Sequence, residues 1–463
     1  MGRRRGQGQG RQGVSMATQT GASRRLAAFA AGLTWDQVPA EVRHAAKRCL
    51  VNFFATAIAG SGEPALDKAC GVLPAFSGPS SSTVIGRDER PDMLWASFLN
   101  AASANVFDFD DTHIPTIIHP TAPVAPVLFA LAENRPLRGE ELLLAFVLGV
   151  EIECRIGNAV SPSHYSRGWH ITSTCGTFGA AFAAGKLLGF DERQFLDALG
   201  NASAQASGLV ETLGTMSKSI SVGNAARNGL LSALLAADGF SGPALPLEGP
   251  RGFLEVTAEK PDLAILLDGL GTCWEILSNT FKPYPCGVVL NPVIDACLTL
   301  RGKPGFDAAA IERITLTGHP LLRQRADRPG VATGRLSQVS AQHAVAVSLL
   351  TGKAGLPEFS DESVADPAVR ALGEKLAFVD DPAFDVEGAR VEITLASGNS
   401  AVTVEKARGS LGNPLSDAEL EDKLKVLSRY RGRSFDIDRL ISAIWALDRT
   451  DDAGAVMKHA AGH

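Results

Sequence analysis

Asn105-Val-Phe-Asp-Phe-Asp-Asp-Thr-His-Ile-Pro-Thr-Ile-Ile-His-Pro-Thr-Ala-Pro-Val-Ala-Pro126 lies between two apolar helical patterns. Leu94, Phe98, Ala101, Ala102 and Asn105 recur at helical spacing before it, and a second pattern begins near Ala122. Three carboxylates (Asp108, Asp110, Asp111) and two imidazoles (His113, His119) therefore fall at a helix end and in the Pro-broken loop after it. Acidic side chains at a helix C-terminus oppose the macrodipole, so a merely solvated helix end is a poor account of this cluster. Loops held by rigid helices are where chemistry concentrates. A metal site is the rival reading, with oxygen ligands at i, i+2 and i+3. The spacing and glycine of an EF-hand are missing, and zinc calls for more His or Cys at regular spacing. No metal is expected.

Upstream, helical periodicity predicts two helices within Ser23–Gly60, then helices near 65–76 and 92–106, with a brief strand at Ser82–Ile85. Downstream, helices are expected near 122–133, 138–158, 172–188, 192–206 and 223–238, with Gly, Pro or Asn at most junctions. The small-residue run Gly176–Gly185 reads as a helix that lets its neighbours approach closely in a buried core. After Asp268 the character changes. Strands are expected at Glu275–Ser278, Ile311–Thr317, Leu376–Val379, Ala389–Leu395 and Ala401–Glu405, the last pair joined by a turn at Ala396–Ser400. Helices are read at 288–301, 338–350, 416–427 and 436–447. The expected fold is mainly α: a leader at 1–18, a helical domain at 19–268, a smaller α+β domain at 269–408, and a C-terminal segment, 409–463, that returns to the helical domain.

A chain of 463 residues with 45% hydrophobic and 20% charged content is an ordinary globular protein of two or three domains. Its net charge of −6 argues against nucleic acid as a partner. Only the first dozen residues are basic, and no apolar stretch follows them to make a secretory signal. No run of about 18 apolar residues exists, so no membrane span is expected. The seven cysteines lack Cys-x-x-Cys spacing, which argues against disulfides, structural zinc and an iron–sulfur cluster, and for a reducing, cytoplasmic setting. No nucleotide-binding glycine motif is present, and no cofactor is expected.

Asp108-Phe-Asp-Asp-Thr112 followed by His119-Pro120 resembles the MmgE/PrpD family, which includes 2-methylcitrate dehydratases, cis-aconitate decarboxylases and iminodisuccinate epimerases. The resemblance recurs at Gly168-Trp-His-Ile-Thr-Ser-Thr174, at Lys218 before Gly223-Asn-Ala-Ala226, and at Lys282-Pro-Tyr-Pro-Cys286, and runs from about Gln19 to Arg449. It implies the same two-domain layout, a homodimer, and cofactor-free chemistry that begins by removing a proton α to a carboxylate. Two positions depart from the family pattern. Asn291 stands where many members carry a catalytic His, and Asn cannot shuttle a proton. His343 stands where decarboxylase and dehydratase members commonly have Tyr, and it is a candidate to replace the lost imidazole.

The expected substrate is a small di- or tricarboxylate, held by Lys218, Lys282 and a protonated His119 or His170. His170 precedes a helix start, Lys218 is read in a loop leading to the helix at 223–238, and Tyr165 shares the loop of His170. The assignment is His170 or Tyr165 as base, His119 as acid, Lys218 as oxyanion anchor, and Asp108 and Thr112 as orienting groups, with Asn291 and His343 at the substrate. A hydro-lyase of the 2-methylcitrate type, an epimerase of an iminodisuccinate-like acid, and a cis-aconitate-type decarboxylase share this enolate site. A non-catalytic carboxylate-binding member is the alternative from another class.

Overall fold

The computed structural model describes residues 21–79, 81–396, 398–430 and 432–462. The leader expected at 1–18 lies outside them. The main helices of the first body are α1 (Ala22–Gly32), α2 (Ala40–Gly60) and α3 (Met93–Asn105). A short strand, β1 (Asp111–His113), separates these from α4 (Thr121–Asn134), α5 (Gly139–Val160), α6 (Ile171–Leu187), α7 (Glu192–Ser203) and α8 (Ser217–Ala237). Asp92 caps α3 by accepting from the amides of Leu94 and Trp95. From Cys49 to Gly60 every residue of α2 is buried, so this helix runs through the core rather than along its surface. The small-residue reading of α6 holds. A Cβ on Gly149 of α5 would lie 2.8 Å from the Gly179 carbonyl oxygen, and one on Gly179 would meet Gly149 in the same way. Only glycine at both positions lets these helices cross so closely.

The second body begins after β2 (Asn279–Phe281), with α9 (Asn291–Arg301) as its first main helix. It contains β3 (Ile311–Gly318), α10 (Pro320–Ala326), α11 (Gly334–Ser337), α12 (Ala341–Thr351), β4 (Leu376–Asp380), β5 (Ala389–Leu395) and β6 (Gly398–Val404). The sheet order is β4-β3-β5-β6, with β3 parallel to β4 and antiparallel to β5. Alternate residues of β3 and β5 (Ile314, Leu316, Val391, Ile393) point into a second core with Val293, Cys297 and Val345. The chain then returns: α13 (Asp417–Ser428) and α14 (Ile437–Trp445) place Leu420, Leu424, Leu440 and Ile444 in the first core. The fold is mainly α with a small sheet-containing domain, as expected.

Several local readings change. Ser82–Ile85 carries no strand, because Asn100 does what a partner strand would. Its side chain accepts from the Ile85 amide at 2.8 Å and donates to the Thr83 carbonyl at 2.9 Å. Glu275–Ser278 is a 3₁₀ turn and the strand starts at Asn279. There the Glu275 amide is taken by the Glu151 carboxylate at 2.8 Å instead of a ladder. Leu395 pairs with Gly398, so the last strand begins three residues before the expected Ala401. The helix read from Gly223 begins at Ser217, which puts Lys218 in its first turn.

Candidate active site

α3 ends at Asn105, and Asp108 then adopts a left-handed backbone (φ 55°). Such a conformation costs a non-glycine residue roughly 1 kcal/mol or more and is tolerated where surroundings over-determine it. Asp108 is over-determined. The β1–β2 pairing sets Thr112 opposite Thr280 and delivers Lys282, just past β2, to its side. Lys282 Nζ donates to the Asp108 carbonyl at 2.8 Å and to Oδ2 at 2.9 Å. Lys218 Nζ, from the first turn of α8, donates to Oδ1 at 2.6 Å. Both lysine side chains are 4% exposed, against 27% for Asp108. One carboxylate is clamped between two buried ammonium groups.

His119 meets the same carboxylate, its Nε2 3.5 Å from Asp108 Oδ1. Its Nδ1 lies 2.7 Å from the Asp111 carbonyl oxygen, which can only accept, so Nδ1 carries the proton and Nε2 is the free base. Asp110 Oδ1 at 3.3 Å and Thr112 Oγ1 at 3.4 Å sit on the same Nδ1 side. The His119 amide donates to Thr172 Oγ1 at 3.1 Å, tying this loop to the start of α6.

His170 occupies the N-cap position of α6. Ser221 Oγ gives its proton to the Lys218 carbonyl at 2.8 Å, so it accepts from His170 Nδ1 at 3.0 Å. This imidazole too is held with Nδ1 protonated and Nε2 open. Tyr165 is partly buried and feels the charge of Asp108. The structure thus gathers Asp108, Thr112, His119, Lys218 and Lys282 by direct contact, with His170 and Tyr165 within electrostatic range.

Two expected residues bond outside the directly contacting set. His343 Nε2 donates to the Glu358 carbonyl at 2.8 Å and its ring lies against Phe359, on the edge of a cavity of about 630 Å³ inside the small domain. Among the described residues it makes no hydrogen bond or ion pair with the Asp108 cluster. Asn291 opens α9, and its amide oxygen faces the Cys286 thiol at 3.8 Å.

Two cations escaped the sequence reading. Lys423 of α13 donates to Asn52 Oδ1 at 2.8 Å, the Phe109 carbonyl at 2.8 Å and the Lys282 carbonyl at 2.9 Å. Three acceptors need three donors, so it is an ammonium even though burial drives its pKa well down. It fixes the backbone on both sides of the Asp108–Lys282 contact. Its signal was weak: Leu420, Leu424 and Leu427 mark the buried face of α13, and Lys423 stands at that face's edge. Arg335, on α11, bonds the Val106 carbonyl and Gln338, and nothing in the Thr-Gly-Arg-Leu sequence around it announces a site. A cavity of about 760 Å³ opens behind Phe109 and Lys423, but it holds none of the proton-transfer groups, so chemistry rather than volume locates the site.

Burial would raise the Asp108 carboxyl, but Lys218 and Lys282 override it and hold the group well below the usual carboxylate range. Burial lowers Lys218, against the pull of Asp108. Burial likewise lowers His119, against the pull of Asp110, and pushes His170 down to about 3 with help from Lys218. Both imidazoles are therefore neutral near pH 7, not the cations expected. Burial and then Asp110 push Asp111 up to about 7. Among the described residues, Asp108, Asp110 and His119 are the donors that come nearest to a metal site, with ligand atoms within 4.8 Å of one another. Two ammonium groups on Asp108 would face any cation placed there, which makes the set a poor fit for a divalent ion.

Among the described residues no helix is long and apolar enough to cross a membrane. The chain is 28% identical over 445 residues to cis-aconitate decarboxylase of Mus musculus, covering 92% of this chain and 91% of that protein. It is 27% identical over 483 residues to cis-aconitate decarboxylase of Aspergillus terreus, covering 97% of each. It is 26% identical over 390 residues to 2-methylcitrate dehydratase of Salmonella typhi, covering 78% of each. Residues 24–266 match the MmgE/PrpD N-terminal domain and 284–448 the C-terminal domain. The two matches take in Asp108, His119, Lys218 and Arg335, with Lys282 in the interval between them, and on them the chain belongs to the MmgE/PrpD family.

Proposed function

We propose that the protein is a lyase that removes a proton α to a carboxylate of a small di- or tricarboxylate, as a hydro-lyase of the 2-methylcitrate dehydratase type. The observation that carries this reading is Asp108 clamped by Lys218 and Lys282 beside the free Nε2 of His119. A proton α to a carboxylate is weakly acidic, so the site must stabilise an enolate-like dianion, and fixed ammonium groups do so best when water is excluded. The base is His119 or His170, each neutral with Nε2 available. Tyr165, raised by burial and by Asp108, holds its proton and suits the donor role. In dehydration the base takes the α-proton, the C–H pair becomes the C=C bond, and the β-hydroxyl leaves with the donor's proton as water. Lys218 and Lys282 hold the substrate carboxylate, with Asp108 and Thr112 orienting them and His119.

A second reading, decarboxylation, has its own support: the cis-aconitate decarboxylases match over more than nine-tenths of both chains. There a C–C bond breaks, its electron pair stays on carbon as CO₂ leaves, and Tyr165 delivers a proton to that carbanion. The same site without a leaving group would epimerise an iminodisuccinate-like acid. Cofactor-free action is part of the proposal, supported by the two ammonium groups where a metal would bind. So are a homodimer, as the family resemblance implies, and a cytoplasmic setting, consistent with seven free cysteines, of which only Cys273 is exposed. A screen of hydroxy-, imino- and unsaturated di- and tricarboxylates by NMR in D₂O tests it. Loss of water, loss of CO₂ or deuterium at Cα distinguishes the three outcomes, and no change in any acid refutes the proposal.

A further inference from the structure

Lys218 and Lys282 are already committed to Asp108, so much of their charge is spent before a substrate arrives. A di- or tricarboxylate brings two or three negative charges and calls for a cation that is not yet paired. Arg335 is that cation. It sits on α11 in the small domain, across from the helical body. Its Nη1 donates to the Val106 carbonyl and, at 3.0 Å, to Gln338 Oε1. Gln338 Nε2 in turn donates to the Phe107 carbonyl at 2.9 Å. The pair grips the backbone directly before Asp108, and the charges of Asp108 and Asp110 act on Arg335. Among the described residues, its Nε and Nη2 donate to nothing and it has no carboxylate partner within ion-pair distance. Arg335 is half-buried, between the buried Ser337 and Gln338 and the exposed Leu336 and Val339 (44% and 42%).

We propose that Arg335 is a specificity residue that reads a second carboxylate of the substrate through its open Nε–Nη2 edge. A planar guanidinium with one end anchored presents two parallel N–H donors at the spacing of carboxylate oxygens. Because the anchor is the backbone before Asp108, the fork is fixed relative to the reacting end of the substrate. Monocarboxylates fill only the lysine side. The inference deepens the proposed function and rests on it: the substrate spans both domains, one carboxylate at the lysines and another at Arg335.

Calorimetric titration of the full chain with tricarballylate, an unreactive tricarboxylate, and with butyrate tests this. The wild-type protein should bind tricarballylate tighter than butyrate by about tenfold or more. Arg335→Gln should remove most of that difference and leave butyrate unchanged. Arg335→Lys keeps charge and stem but lacks the fork, so it should lose about half of the preference on a logarithmic scale; it serves if the Gln variant melts early. Tricarballylate binding equal in wild type and both variants overturns the role of Arg335 alone. A wild-type protein that binds neither acid overturns the carboxylate site itself.

Discussion

Lys218 Nζ stands 2.6 Å from Asp108 Oδ1, and this ion pair is shut away from water on the lysine side, where only 4% of the side chain is exposed. Exposed ion pairs are worth little, whereas breaking a buried one strands a charge. The second lysine makes the arrangement asymmetric: two ammonium groups face one carboxylate. The surplus positive charge is where a substrate carboxylate, and then an enolate, gains most.

Lys218→Ala should lower the turnover number by about a hundredfold, as expected for one lost oxyanion donor. Lys218→Arg should recover little, because a planar fork does not replace a compact ammonium in a closed site. Read as a loop residue, Lys218 would contribute nothing to stability. Buried in the first turn of α8, it should cost about 2 kcal/mol on removal, measured by urea unfolding. A change in the Michaelis constant alone would reassign it as an anchor.

Asp108→Asn leaves Lys218 and Lys282 facing each other without a counter-charge. Unfolding free energy should fall by about 3 kcal/mol, and a double variant, Asp108→Asn with Lys218→Met, should regain part of it. Equal or greater instability in the double variant contradicts the clamp.

His170 is neutral when folded and titrates near 3, against an ordinary value of 6.5. Below pH 6.5 the unfolded chain binds a proton that the folded chain refuses. This contribution to stability is therefore complete above 6.5 and is lost as pH falls toward 3. Between pH 7 and pH 5 it amounts to about 2 kcal/mol. His170→Asn should unfold with a shallower loss over that interval, by that amount, in urea titrations at the two pH values. Parallel pH dependences would mean that His170 is solvated.

Much of this was legible in the sequence. The Asp-rich stretch, Gly-Trp-His at a helix start and the Lys-Pro-Tyr-Pro-Cys turn all came together, because each sits at an element boundary marked by Pro or Gly. The Ala389–Leu395 strand emerged with the expected bounds because its alternation is strict. What stayed hidden was long-range. Nothing local says that Asp111–His113 pairs with Asn279–Phe281, or that Lys423 crosses from the C-terminal helix to hold that junction. Arg335 is an arginine in a polar turn until the fold brings it to Val106. The charge state of the histidines was also misread, since burial rather than sequence neighbours decides it. His343 went the same way: it lies on an apolar helix face, and there it is simply satisfied by Glu358.

The central claim is proton removal next to a substrate carboxylate at this site, and deuterium wash-in measures it most directly. The acid identified by the screen is incubated in D₂O, with EDTA present, with the wild-type protein and with His119→Asn, and the reacting C–H signal is followed by NMR. The wild type should exchange or eliminate that hydrogen with the chelator present, and His119→Asn should do so about a hundredfold or more slowly while unfolding at an unchanged urea concentration. Equal rates in the wild type, in His119→Asn and in a matching His170→Asn, or a wild-type activity that EDTA abolishes and a divalent ion restores, would contradict the account.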